Sequence, residues 1–410
     1  MKMTKLEKYW ILYDVGNSAF IMLVSTIIPI YFNALAQNAG ISEVDYLAYW
    51  GYAVSVSTVI VALIGPVLGS IADTRGFKKP LFTVCMMVGV VGCAALAFPT
   101  SWIIFLAVFV VAKVGYNASL IFYDSMLVDV TTPERMDVVS SQGYAWGYIG
   151  SCIPFVISLV LVLQCETIGI SMGTAMMIAF FLNAAWWLLV TVPLLKNYEQ
   201  KNYVELPKHP VKNSFARLGR TLMDIKGQKH IFMYLLAFFF FIDGVYTIIE
   251  MATAYGSALG LDSSGLLLAL LVTQLVAFPC ALIFGKLSKQ YETALLIKVC
   301  IAAYTGIALF AIQLDKQWEF WLLAVLVGMF QGAIQALSRS YFAKIIPADK
   351  SGEYFGIYDI CGKGASFIGT TLVGLIAQLT NVANIGVAVI AVMFIIGFAL
   401  FWKAAKLNRV

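Results

Sequence analysis

Apolar segments of about twenty residues or more recur along the whole chain, separated by short charged turns, and a segment of that length is what a bilayer-spanning helix requires. Breaks at charge clusters, prolines and asparagines delimit twelve of them: 9–36, 47–72, 80–99, 101–128, 139–165, 171–195, 230–257, 264–286, 291–313, 318–345, 352–379 and 382–403. In a chain of 410 residues they leave no room for a separate enzymatic domain. With 61% hydrophobic and only 12% charged residues, a soluble multidomain protein is excluded. The expected fold class is an all-α polytopic membrane protein surrounded by the lipid bilayer.

Basic residues gather in every second connection. They are Lys2, Lys5 and Lys8; Arg75, Lys78 and Lys79; Arg135; the stretch 196–229; Lys286 and Lys289; Lys344 and Lys350; and Lys403, Lys406 and Arg409. The alternate connections carry Glu43, Asp45, Glu166, Asp262, Asp315 and Glu319, with Lys316 as their one base. The positive-inside rule then predicts that both termini are cytoplasmic. The net charge of +5 reflects those loops and implies no nucleic-acid partner. Seven cysteines lie in apolar segments with no CxxC pair, so they read as small packing residues, and no metal or other cofactor is expected. The opening MKMTKLEKYW has a basic flank, but the apolar run behind it holds Asp14 and Asn17 and no small-residue cleavage site, so a retained first helix is expected.

The long connection divides the chain into residues 1–195, a cytoplasmic linker 196–229, and residues 230–410, each flanking part holding six segments. Within the linker, Phe215, Leu218, Leu222 and Ile225 stand at helical spacing opposite Lys212, Arg217, Arg220 and Lys226, the pattern of an interfacial amphipathic helix or of a solvated basic loop. The two parts echo each other. Pro133 and Pro347 occupy equivalent points, and glycine-rich segments follow both, with Gly143 and Gly147, and Gly352 and Gly356, each four apart. That spacing lets helix backbones approach closely.

Between the second and third segments lies GPVLGSIADTRGFKKPL, a tight charged turn containing Gly69, Asp73, Arg75, Gly76, Lys78 and Lys79. It resembles the signature loop of the major facilitator superfamily, except that Thr74 stands where that pattern commonly has a base. A carboxylate ending one helix can rest on the positive N-terminus of another, and the expected acceptor for Asp73 is the segment starting near Gly352 and Glu353. A simple topogenic loop is the alternative. WILYDVGNSAF (10–20), NASLIFYDSMLVDVTTPE (117–134), FIDGVYTII (241–249) and the stretch from QGAIQALSRS to GKGASFIG (331–369) resemble the branch of that superfamily containing autophagy-related vacuolar amino-acid effluxers and their bacterial relatives. Ile242, where the family usually has asparagine, and Tyr123–Asp124, where it often has Tyr-Asn, depart from its pattern. The resemblance implies two pseudo-symmetric six-helix bundles and secondary transport by alternating access, with amino acids as the first cargo class and a bacterial cytoplasmic (inner) membrane as the location. A monomer is expected.

Charge inside the spans leads to the same region independently. An ionisable residue there costs at least about 2.5 kcal/mol and persists mainly facing a cavity or a partner. At about 1.5 Å per residue, Lys113, Asp243 and Lys363 all fall about 16–20 Å deep, near the midplane, with Glu250 farther toward the outside. Lys113 and Lys363 are expected to hold an anionic cargo group, with Tyr116, Asn117, Tyr246, Gln335 and Asn17 as further cargo contacts. Asp243 is the expected coupling carboxylate, with Glu250 and Asp14 behind it, and a co-transported proton the expected partner. Asp124 and Arg339 join the gating loop residues near the cytoplasmic ends. For the midplane trio the alternative is a structural ion pair locking helices, and for Asp14, Asp124 and Arg339 an interfacial salt bridge. Both histidines, His209 and His230, fall in or beside the linker, and no GxxxxGK[ST] phosphate loop exists, so ATP hydrolysis is excluded. An enzyme would need a nucleophile and base together in the spans, and none is present. Another cargo class (sugar, nucleoside, drug-like compound) or a passive channel stays open, as do import against export and proton against sodium coupling.

Overall fold

The computed structural model describes residues 2–205, 219, 221, 223, 225, 227–258, 263–380 and 383–407. They form α1 (Lys5–Asn38), α2 (Glu43–Ala72), α3 (Lys78–Ala95), α4 (Trp102–Val130), α5 (Met136–Leu163), α6 (Met172–Asn197), α7 (Lys229–Ala258), α8 (Ser263–Leu287), α9 (Thr293–Ala311), α10 (Gln317–Ile345), α11 (Ser351–Asp359 and Ala365–Thr380) and α12 (Ala383–Leu407). Eleven helices among the described residues are long and apolar enough to cross a membrane. The exception is α11, expected as one segment over 352–379 but interrupted by a π turn, Ile360–Gly364, that carries Lys363. A similar break divides α1 at Thr26. Of the anticipated amphipathic linker helix, most residues, including Phe215, Leu218, Leu222 and the four bases opposite them, lie outside the described residues, as do Asp262, His209 and Arg409.

Local chemistry fixes the helix ends. Thr4 caps α1, its hydroxyl accepting from the Glu7 amide while the Glu7 carboxylate accepts from the Thr4 amide. Ser42 and Ser171 cap α2 and α6 in the same sense. Gly76 turns the α2–α3 loop at φ 78°, a conformation that costs glycine nothing.

Among α1–α6 the principal packing pairs are α1–α5, α1–α6, α2–α4, α3–α4, α3–α6 and α5–α6. Moving each pair six helices along yields α7–α11, α7–α12, α8–α10, α9–α10, α9–α12 and α11–α12, which are the principal pairs of the remainder. The contacts between the two sets obey the same exchange: α2 packs on α11 as α8 packs on α5, and α4 on α11 as α10 on α5. Inward faces bury aromatic side chains such as Trp10, Phe20 and Trp187 in one set and Tyr234, Tyr304 and Phe394 in the other. Outward faces expose Leu63, Phe98, Leu163 and Leu189, apolar side chains that suit a hydrocarbon surround.

The crossing of α2 and α11 depends on glycine. A Cβ on Gly356 would stand 2.7 Å from Pro66 Cα, and one on Gly69 would collide with the Gly352 carbonyl. The anticipated close approach at Gly143 and Gly147 also occurs, against Asp14 and Ser18 of α1. At Gly306 nothing lies within 4 Å of an added Cβ. Gly356→Ala is therefore expected to destabilise this arrangement by about 1–3 kcal/mol through overpacking. Gly306→Ala should be neutral or stabilising by up to about 1 kcal/mol, since alanine is the better helix former. Thermal unfolding of the two purified variants checks the contrast, and an equal effect would mean that the crossing does not constrain the fold.

Candidate functional site

Polar side chains join the two helix sets in tiers, starting at the end where the basic loops gather. Asp73, at the end of α2, accepts the Gly352 amide at 2.7 Å on Oδ1 and the Glu353 amide at 2.9 Å on Oδ2, the two amides opening α11. This is the contact anticipated from the loop motif. Lys78 stands 3.8 Å from the Asp73 carboxylate and 3.5 Å from that of Asp129, and donates to Ser351 Oγ at 2.9 Å. Asp73 and Lys78 are wholly buried. Burial pushes the Asp73 carboxyl up to about 7, against the opposing pull of Lys78 and the two amides. Arg75 takes no part across the sets: it is exposed, pairs with Glu205 at 3.7 Å and lies over the Tyr203 ring. The Gly76 amide donates to Gln200. The start of the linker is thus fastened to the turn, since Val204 bridges to Thr74 and Asp129 accepts from Tyr198, Lys201 and Asn202.

Beside this tier, Asp137 of α5 accepts from Lys344 and Ser340 of α10 and Thr293 of α9. Asp137 and Asp129 are site residues that sequence reasoning missed. Both sit at segment edges, where acids are common, and no local pattern distinguishes them.

One tier deeper lies Arg339 of α10, only 2% exposed. Its guanidinium donates to Asp124 of α4 at 2.9 Å, Asp14 of α1 at 3.3 Å, and the hydroxyl and carbonyl of Ser140 on α5 at 2.9 and 3.1 Å. The rings of Tyr144, Trp10 and Tyr123 surround it at 4.4, 4.7 and 5.4 Å, and Trp10 stacks on Tyr123. A Cβ on Gly143 would meet the Asp14 carboxylate at 2.5 Å, so glycine makes room for the cluster. A single cation from the second helix set is therefore held by three helices of the first. Asn17 stays local, donating to the Tyr13 carbonyl and the Asp14 carboxylate.

The midplane residues do not assemble as anticipated. Lys363, on the π turn, pairs with Asp359 at 2.5 Å and donates to the Asn117 carbonyl of α4 at 3.3 Å. Lys113 lies over the Tyr116 ring at 5.4 Å, and the charges of Glu250 and Lys363 act on it. Asp243 meets neither lysine. Its Oδ1 accepts from the Thr247 hydroxyl and the Gly369 amide, both at 3.2 Å, while its buried Oδ2 has no hydrogen-bond partner among the described residues. The trio expected at one level separates into two features: Lys363 and Lys113 beside Asn117 and Tyr116, and a secluded carboxylate between α7 and α11. A lone glycine at position 369 is what lets α11 come onto Asp243, because a Cβ there would collide with the carboxylate. Tyr246 lies close to Gly362 of the π turn, Gln335 is buried one helical turn before Arg339, and Glu250 is exposed. Asp359 went unrecognised as the partner of Lys363, although the i, i+4 spacing of the two was readable in GIYDICGKG.

Among the described residues, helices thus supply buried charges shared between the two halves. Residues 4–134 and 128–407 match the family described as vacuole effluxer Atg22 like. An uncharacterised transporter of the major facilitator type from Bacillus subtilis, YxiO, is 44% identical over 97% of this chain and 94% of its own length. Autophagy-related protein 22 of Eremothecium gossypii is 24% identical over 91% and 85%. Among solved structures, the human organic anion transporter MFSD10 superposes with a TM-score of 0.71 at 13% identity, covering 97% of this chain and 99% of that one. The major-facilitator transporter FucP in its outward conformation superposes at 0.70 and 13%, covering 98% and 97%. These likenesses to solved structures carry the fold. With the family match over nearly the whole length, they make this chain a member of the Atg22-like vacuole effluxer family, a transporter of the major facilitator superfamily and not an enzyme.

Proposed function

We propose that the protein is a secondary transporter of a small carboxylate-bearing metabolite, an amino acid first, that works by alternating access, is driven by protons and runs in the export direction. In this reading the chain spans the bacterial cytoplasmic membrane twelve times as two six-helix bundles, 1–195 and 230–410, joined by the linker 196–229. Both termini are then cytoplasmic, because the basic loops gather at the end where α1 begins and α12 finishes. The observation that carries the reading is the Arg339 cluster. A buried cation whose partners all belong to the other half is satisfied only while the halves stay closed at that end, so a change in either carboxylate alters the balance between closed and open. The family's description as a vacuole effluxer supports the export direction.

Lys113 and Lys363 are assigned to the cargo carboxylate, with Asn117, Tyr116, Tyr246 and Gln335 beside them, and Asp243 to the proton. The seclusion of Asp243 supports that assignment: among the described residues one oxygen of this buried carboxylate has no hydrogen-bond partner and no cation pairs with it, so the cost of its charge depends on whether water reaches it. Asp73, Lys78 and the glycines at the α2–α11 crossing form the gate.

Counterflow in proteoliposomes tests the function. Internal unlabelled amino acid should accelerate uptake of the labelled one, and a panel of sugars and nucleosides should not. A linear flux unaffected by internal cargo would indicate a passive pathway. Asp243→Asn is expected to abolish proton-driven accumulation by at least about tenfold while counterflow continues, the signature of lost coupling with an intact site. Accumulation that still follows the gradient in this variant removes Asp243 from the coupling role. Lys113→Ala and Lys363→Ala should each weaken binding of the acid about tenfold, some 1.4 kcal/mol, and binding of its neutral amide much less. Unchanged acid-to-amide preference in both variants would discard the anion site.

The gate makes a separate expectation. The Asp73 carboxyl is raised to about 7 in this closed form, above its usual range, so proton binding favours closure below that range, and the advantage fades as pH rises through 7. Spin labels at Lys79 and Lys350 should report a larger closed fraction at pH 5 than at pH 8. Asp73→Asn should flatten that dependence and slow transport while leaving cargo affinity nearly unchanged. An unaltered pH profile in the variant would remove Asp73 from the gate.

A further inference from the structure

At the basic-loop end, on the outer surface where α7 begins and α12 finishes, lies a cavity of about 540 Å³ bounded by Lys229, Lys403, Lys406, Phe232, Met233 and Leu407. Its lining is half basic and half apolar. Lys403 and Lys406 are one helical turn apart on α12 and Lys229 is the first residue of α7, so three lysines border one cavity. Phe232 and Met233 follow one turn farther into α7, and Phe232 and Leu407 are 43% and 42% exposed. Three bases and exposed apolar side chains around one cavity is the arrangement that an amphiphile with an anionic head matches.

Helix electrostatics alone does not account for the lysines. Lys406 in the last turn of α12 complements the negative end of that helix. Lys229 does the opposite, adding positive charge to the positive end of α7, whose first turn contains no acid. None of the three lysines forms an ion pair with a carboxylate among the described residues, and Lys406 lies over the Trp402 ring at 5.9 Å. Trp402 in turn carries Lys298 of α9 at 4.6 Å, extending the positive surface, and is itself 45% exposed, as a tryptophan at a membrane interface is. Like charges are thus gathered at a helix N-terminus with no carboxylate paired to them among the described residues, beside exposed apolar side chains.

We propose that this cavity is a binding site for an anionic phospholipid, with Lys229, Lys403 and Lys406 on the headgroup phosphate and Phe232, Met233 and Leu407 against the upper part of an acyl chain. Three bases bordering one cavity beside a spanning helix favour an anionic over a zwitterionic headgroup, and the apolar lining favours a lipid over free phosphate, which has nothing to place against it. The site joins the first helix of the second half to its last and is separate from the cargo site and the gate, so it stands whatever the cargo is.

The test uses the full-length protein in detergent micelles and reads its melting temperature during titration with dioleoylphosphatidylglycerol, dioleoylphosphatidylcholine or inorganic phosphate. Phosphatidylglycerol should raise Tm by about 2 °C or more and the other two should not. In the double variant Lys403→Gln/Lys406→Gln, most of that shift should vanish while the lipid-free Tm stays near that of the parent, because both side chains are exposed. Lys229→Gln alone should reduce the shift as well, which keeps the test decisive should the double variant fold poorly. Lys289→Gln, an exposed base on the α8–α9 loop, should leave the shift intact. Equal stabilisation by phosphatidylcholine overturns the headgroup assignment, and equal stabilisation by phosphate overturns the lipid. A full shift in both lysine variants overturns the site.

Discussion

The buried guanidinium of Arg339 is the constraint around which the two helix sets are arranged. An arginine cannot shed its proton at any accessible pH, so its charge must be matched wherever it is buried. Asp14, Asp124 and Ser140 provide that match from three helices, and three aromatic rings close the space around it. Leaving such a cation unpaired costs about 3–5 kcal/mol, comparable to the stability differences that separate transporter conformations. Gly143, the Trp10–Tyr123 stack and the closeness of α10 to α5 all serve the same requirement. Separation of the halves at this end has to coincide with a new partner for the arginine, such as water or a substrate group, or with a change in the carboxylates.

Much of the architecture was legible from apolar run lengths and from the alternation of basic loops, because the bilayer admits only one backbone solution for such segments. The Asp73 contact was legible for a related reason: a carboxylate closing one helix and a glycine-led helix start elsewhere have few other ways to satisfy each other. Depth counting failed for Asp243. It fixes the level of a residue but not its direction around the helix, and Asp243 turns toward Gly369 and away from the lysines. The break in α11 was also illegible, since residues 352–379 read as one segment in which six glycines, Glu353, Asp359 and Lys363 do not mark the place of a break, and the π turn packs against α7 and α2. Arg75 was assigned by motif position, whereas the buried role went to Lys78, which is the base near enough to Asp129 and Ser351.

The π turn separates a part of α11 that meets the first half from a part that stays with its own. Ser351–Asp359 packs on α2 and α4, while Ala365–Thr380 packs on α7 and α12. Lys363 sits on the turn between them, paired within its helix to Asp359 and across the interface to Asn117. A residue at such a joint senses both the inter-half seam and the internal packing of its own half. The two parts that the turn joins carry Gly352, whose amide meets Asp73, and Gly369, whose amide meets Asp243, so one helix ties both carboxylates to the same joint.

The exchange of helices that relates the two halves has one consequence at the basic-loop end. Gly285 of α8 lies against Ser141 of α5 as Gly69 of α2 lies against Gly352 of α11, but four residues on from these glycines the first half has Asp73 and the second has Lys289. The α2–α11 seam is therefore latched by a wholly buried carboxylate on backbone amides, and the opposite seam by the buried Arg339 cluster together with the Asp137–Lys344 pair, whose lysine is 24% exposed. Mobile ions reach that lysine and not the Asp73 carboxylate. Raising the ionic strength therefore weakens the Asp137–Lys344 contact, while the Asp73 latch on one side and the buried Arg339 cluster on the other are shielded from it.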